Sequence, residues 1–252
     1  VGVGVPGLVD VVKGECRFSP NLHWQDVPVA QLLGDSLGVP VFVDNDVNLA
    51  ALAEHRLGAG RGYRDLIMVT VGTGIGAGLI LDGKLYRGPG GSAGELGHLP
   101  VDPAGTLCSC GRRGCLETTC SGTAIGRRAS QLVHPASRLW EQQPLDARAV
   151  FAAAREGDEL ARTVVQEAVA WLSTGLAGVV NLLNPSLIIV GGGVAQAGPG
   201  FLDALAAAIK LRALPHPAAQ VQVVAAELGP GAGVTGAGLY AWDRQGKELP
   251  CP

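Results

Sequence analysis

The chain of 252 residues is long enough to bury a sizeable core and falls between one large domain and two small ones. A formal net charge of -3 and a pI near 6.0 give it no electrostatic footprint for nucleic acid or an anionic membrane surface, and the pairs Arg112-Arg113 and Arg127-Arg128 are too short to be anything but solvated surface. With 47% hydrophobic and 16% charged residues the composition excludes a low-complexity chain, while 38 glycines predict frequent turns and close backbone approaches.

"VGVGVPGLVD" begins without Met inside an apolar, β-branched run and reads as a core strand entering a turn, so the chain reads as the continuation of something longer. No charged-then-apolar leader opens it, which predicts a reducing, cytoplasmic setting in which cysteines point to metal rather than disulfide. "DVPVAQLLGDSLG" predicts a helix with Asp26 near its N-cap and Pro28 in its first turn. "VPVFVDND" predicts a strand, and "NLAALAEHRLGAG" a helix stopped by Gly58 and Gly60. That alternation is the rhythm of an α/β sheet. In "DLIMVTVGTGIGAGLILDGKLYRG" two apolar runs flank a glycine loop, and the second meets Asp82-Gly83, a type I′ hairpin signal. Helices are predicted over "SGTAIGRRASQLV", "DARAVFAAAREG" and a long segment opening at Asp158, with Leu160, Val164, Ala168, Leu172, Leu176 and Val180 as its apolar stripe. Residues 168–183 are the longest apolar stretch, interrupted by small and polar residues and short of a membrane span, so a buried helix is expected. "PSLIIVGGGVA" predicts a strand, a glycine turn and a helix start; "VQVVAAELGPGAGVTGAGLYAW" predicts a strand, a loop and a last helix.

The chemistry concentrates in "GELGHLPVDPAGTLCSCGRRGCLE", residues 94–117. Cys108, Cys110 and Cys115 with His98 supply three sulfurs and one nitrogen, the ligand set of a closed tetrahedral Zn²⁺ site. A single residue separates Cys108 from Cys110, unlike the commoner C-x2-4-C, and Gly105, Gly111 and Gly114 supply turns; three unliganded thiols beside an unrelated histidine are the alternative. Cys16, Cys120 and Cys251 show no such pattern and read as packing or surface thiols. Gly72, Thr73 and Gly74 open a loop that runs into a strand, not a helix, which argues against a dinucleotide fingerprint but leaves a backbone cradle for phosphate or a plain tight hairpin. "GGG", residues 191–193, is either a helix-entry turn or a place where a flat ligand lies on backbone. "DND", residues 44–46, is either a helix cap provided by Asp46 or a general base beside Asn45 at the carboxyl end of a strand. Glu95 and Glu117 flank the cysteine set, and a metal knot there would be a staple that aims both carboxylates.

Together these motifs resemble the ROK family of bacterial sugar kinases and sugar-responsive repressors of the xylose-repressor kind. "ELGHLPVD…CSCGRRGCLE" is similar to its zinc signature, "VDNDVNLAALAE" to its catalytic-aspartate segment, "VTVGTGIGAGLILDG" to its second phosphate motif and "LIIVGGGVA" to its nucleotide-side glycine turn, over residues 1 to about 240. The resemblance implies an α/β, actin-like and hexokinase-like two-lobed ATPase fold with a structural zinc loop: residues 1–63 the rest of a small lobe, 64–234 a large lobe and 235–252 a helix returning toward the small lobe. It implies that Asn45, Asp46, Glu95, His98 and Glu117 bind an aldohexose or its derivative, with His98 also ligating zinc. Asp46 is then the catalytic base, and Gly72, Thr73, Gly74, Gly191 and Gly192 face the nucleotide of Mg-ATP. Family kinases open with D-x-G-G-T, which does not occur here, so the fold is expected to be N-terminally incomplete and short of part of its nucleotide site. "VPGLVD", "NLHWQDVPV" and "GHLPVDPAG" resemble the repressor branch. The reading that results is the sugar-sensing domain of a repressor, probing DNA only through an upstream domain and forming a homodimer, with an ATP-dependent hexose kinase as the alternative.

Overall fold

The computed structural model describes residues 1–142 and 144–246 and is a mixed α/β chain. It opens with β1 (Gly2–Val5), β2 (Leu8–Asp10), β3 (Glu15–Ser19), β4 (Trp24–Val27), α1 (Val29–Leu37), β5 (Phe42–Asn45) and α2 (Asp46–Leu57). It continues through β6 (Leu66–Val71), β7 (Ile75–Leu81), β8 (Lys84–Tyr86), α3 (Leu116–Cys120), α4 (Gly122–Leu132), α5 (Ala147–Arg155) and α6 (Glu159–Leu183). β9 (Leu187–Gly191), α7 (Pro199–Arg212), α8 (Pro215–Gln220), β10 (Gln222–Ala225) and α9 (Ala232–Arg244) complete it. Two compact units result. One comprises Val1–Met68, Ala77–Gly94 and the described residues from Ala226 onward; the other comprises Val69–Gly76 and Glu95–Ala225.

In the first unit β1 runs parallel to β5, with Val5 opposite Asn45. β2, β3 and β4 form an antiparallel meander with an irregularity between Leu8 and Val9, so the opening segment is a strand, a turn and a second strand rather than a strand and a turn alone. Val5, Val9, Cys16, Val29 and Val43 bury one core, and Leu49, Leu52, Ala53, Ala237, Leu239 and Tyr240 a second. Each fully buried leucine or valine there stabilises the fold by about 1.5 to 3 kcal/mol. α2 and α9 approach closely because position 236 is glycine: a Cβ there would lie 1.8 Å from the Leu49 carbonyl oxygen. Asp26 does not cap α1. It sits in β4 at φ 49° with its carboxylate on Arg17, and the cap position belongs to Pro28, which has no side-chain acceptor to offer. Asp82 and Gly83, at φ 51° and 74°, make the β7–β8 turn that the sequence predicts, with Leu81 opposite Lys84.

In the second unit β9 lies between β10 and β6 and pairs with β10 in parallel. α6 is 25 residues long, and by length and composition alone it passes for a membrane span. Its stripe of Val164, Ala168, Leu172, Leu176 and Val180 is buried, Leu160 half-buried, and it packs against α3, α4, α5 and α7, the contacts of a core helix. Asp158 caps it, accepting from the backbone N–H of Ala161 (2.8 Å) and Arg138 (2.7 Å) and from the Ser137 hydroxyl (2.9 Å).

Candidate functional site

In the first unit the β5–α2 junction presents two carboxylates and an amide. Asn45 is the N-cap of α2: its Oδ1 accepts from the N–H of Val47 (2.9 Å) and Asn48 (3.1 Å), and its Nδ2 donates to the Gly7 carbonyl (3.0 Å). The cap is therefore Asn45, not Asp46, because β5 ends one residue earlier than a cap at Asp46 requires. Asp46, relieved of capping, is the first helical residue, with one oxygen accepting from Val47 N–H (2.9 Å). Its side chain opens to solvent, yet the protein atoms crowding it push its carboxyl above the usual carboxylate range, the backbone N–H groups of Val47 and Asp46 opposing.

Behind it lies an ion pair that the motif pattern gives no sign of. Asp44 is 1% exposed, and its Oδ2 accepts from Arg87 Nε at 2.7 Å. Its Oδ1 accepts from Asn45 N–H (2.7 Å) and Asn48 Nδ2 (3.2 Å), while the Arg87 guanidinium lies 5.1 Å over the Tyr240 ring. The first residue of "DND" thus fixes the backbone that carries the other two.

In the second unit the ligand atoms of His98, Cys108, Cys110 and Cys115 all lie within 4.8 Å of one another. His98 Nδ1 is 3.6 Å from Cys108 Sγ, and the sulfurs of Cys110 and Cys115 are 3.5 Å apart. A tetrahedron with zinc–sulfur bonds of about 2.3 Å has edges of about 3.8 Å, so the four residues fit a zinc ion. The chain converges them through short backbone bonds: Cys108 N–H to Arg112 O, Gly114 N–H to Thr106 O and Leu116 N–H to Leu99 O. Gly114, at φ 66°, has no room for a Cβ, which would sit 1.5 Å from the Asp102 carbonyl oxygen. Burial first, and then the neighbouring thiols, push the Cys115 thiol up to about 12, whereas the backbone N–H at Arg112 draws Cys110 down. Three sulfurs and an imidazole nitrogen converging this closely are the donor set that zinc takes, its charge favouring the thiolate form of each cysteine it binds. Cys16 and Cys120 are buried packing thiols, and Cys251 lies outside the described residues.

The same unit brings Glu95, His98 and Glu117 together. His98 uses Nδ1 toward the cysteines, and its Nε2 lies 3.9 Å from Glu95 Oε2. Desolvation pushes the Glu95 carboxyl upward; His98 opposes this and the charge of Glu117 adds to it. Glu117 accepts at Oε2 from Ile75 N–H (3.1 Å), which ties it to the glycine loop between β6 and β7.

That loop is built from its own backbone and from the start of α4. Gly72 N–H donates to Gly74 O (2.9 Å), Gly122 N–H to Gly72 O (2.7 Å) and the Thr123 hydroxyl to Thr73 O (2.8 Å). Gly72 and Thr73 line a cavity of about 500 Å³ whose walls also include Thr123, Gly126, Arg148 and Gly193. Gly74 lies instead against Glu117. Gly191 ends β9, and Gly192, at φ 82°, is a close approach to β6: a Cβ there would lie 2.5 Å from Val71 O. Of the three glycines of "GGG", it is Gly193 that lines the cavity.

A family model described as the ROK family matches residues 1–244. The glucokinase of Halalkalibacterium halodurans is 39% identical over 245 residues, covering 94% of this chain and 74% of that protein. The xylose repressor of Caldicellulosiruptor bescii is 36% identical over 217 residues, covering 84% of this chain but only 54% of that protein. Among solved structures, a ROK glucokinase of Streptomyces griseus in complex with glucose and AMPPNP superposes with a TM-score of 0.86 at 39% identity, covering 94% of this chain and 79% of that one.

Proposed function

Since the chain belongs to the ROK family, we propose that the protein is an ATP-dependent hexose kinase, with glucose as the first sugar to try; these 252 residues, which lack D-x-G-G-T, supply only part of its nucleotide site. The observation that carries this reading is Asp46, a carboxylate released from capping by Asn45 and pushed by its surroundings toward a stronger proton acceptor. In the proposed reaction a sugar hydroxyl oxygen attacks the γ-phosphorus of ATP as Asp46 takes its proton; the new O–P bond forms, the bond to the bridging oxygen breaks, and ADP leaves. Asn45, Glu95, His98 and Glu117 hold the sugar hydroxyls, and the backbone of Gly72 and Thr73 faces phosphate where the cavity opens. Gly191 and Gly192 act behind that surface, through the packing of Gly192 on β6. Mg²⁺ enters with ATP. His98, Cys108, Cys110 and Cys115 would hold Zn²⁺, whose contribution is structural closure of the knot. A cytoplasmic setting suits both the nucleotide and the reduced thiols.

A repressor's sensing domain is the second reading, favoured by the 36% identity to a xylose repressor of which this chain spans about half. The two part on one assay. A kinase releases ADP from Mg-ATP only when hexose is present; a sensor binds hexose, as heat in a calorimeter, with no ADP released. Because D-x-G-G-T does not occur in these residues, the assay uses the full-length protein, in which sugar binding without turnover would remove the kinase reading.

A further inference from the structure

We infer that Glu117 is a positioning residue for the glycine loop, tying the order of residues 72–75 to the cysteine–histidine knot. Glu117 follows the ligand Cys115 by two positions, and its Oε1 lies 4.0 Å from Cys108 Sγ. Its other oxygen accepts the Ile75 amide at 3.1 Å, a residue 42 positions away. The loop is shaped to receive it: a Cβ on Gly74 would lie 2.2 Å from that oxygen. Gly74 is not among the glycines at positive φ, so its backbone does not demand glycine; the carboxylate does. On its other side the loop is held by Gly122 N–H and the Thr123 hydroxyl, so its carbonyls are taken by α4 and its exit amide by Glu117. One carboxylate therefore joins two parts of the unit that are distant in sequence, and loosening the knot frees the loop.

The positioning claim stands on geometry alone; its consequence, that nucleotide binds more weakly when Glu117 lets go, rests on the kinase reading. The test is amide hydrogen exchange at Ile75 in the protein purified with its metal. In E117A exchange should quicken about tenfold or more, while E117Q, whose amide oxygen still accepts, stays within about threefold of wild type. G74A serves if E117A does not fold, since its methyl displaces only the end of a flexible side chain, and it should match E117A. Stripping the metal with a chelator should also quicken Ile75. Unchanged exchange in E117A or G74A, E117Q as fast as E117A, or a chelated protein identical to wild type would overturn the inference. Calorimetry with ATP, without sugar, separates the two claims. Exchange that responds in a full-length protein that never binds ATP would leave the positioning role standing and remove the kinase reading. ATP bound equally by all variants with unchanged exchange would do the reverse.

Discussion

Asp44 and Arg87 show how much of a site's precision comes from residues that touch no ligand. The pair is buried, and removing one partner leaves an uncompensated charge, which costs about 3 to 5 kcal/mol. Asp44→Ala should therefore lower the urea midpoint sharply, and Asp44→Ala with Arg87→Met should recover part of the loss because no bare cation remains; a double variant no more stable than the single one would contradict this. His55 gives a pH signature. Burial lowers its pKa, the Tyr63 carbonyl opposing, so the unfolded chain takes up the proton first. Stability should be level above the unfolded value of about 6.5 and fall as pH drops below it toward the folded value, and His55→Gln should flatten that slope in denaturation curves between pH 7 and pH 5. Of these residues the sequence marks Asp46, Asn45 and the four metal ligands by type and spacing. It marks neither Arg87 nor the Glu117–Ile75 bond, because partners 43 and 42 positions apart meet only through the fold.

At the scale of elements, the long helix and the hairpin are legible because each carries a local signal: an apolar stripe behind the Asp158 cap, and Asp-Gly at the end of an apolar run. The β2–β3–β4 meander is not, since its strands are three to five residues long, lack clean alternation and shift register at Leu8. The cap of α2 moved by one residue for a similar reason: Asp and Asn are equal candidates until β5 fixes where the strand stops. The Asp158 cap makes a further prediction. Although burial works the other way, the N–H groups of Ala161 and Arg138 and the Ser137 hydroxyl hold its carboxyl below the usual range. That stability is full above an unfolded pKa of about 3.9 and disappears as pH falls through the lower folded value. Asp158→Ala should cost about 2 kcal/mol at neutral pH, measured by urea denaturation, and little under strongly acid conditions.

For the whole molecule, the proposed base lies in one unit and the proposed nucleotide-facing backbone and metal knot in the other, and each assignment can fail separately. Elemental analysis of protein purified without added metal should find one zinc per chain, and Cys110→Ser should lower both zinc content and melting temperature; zinc-free protein with an unchanged melting temperature would remove the metal and leave the kinase reading intact. The central claim is that Asp46 is the base of a sugar phosphorylation. The direct measurement is hexose phosphate formed by the full-length wild-type protein and its Asp46→Asn variant, followed by mass spectrometry, with glucose affinity measured on the same samples. Full-length wild type should form product, Asp46→Asn should lose at least about a hundredfold, and glucose affinity should stay within about tenfold. Product formed by Asp46→Asn at the wild-type rate would contradict it.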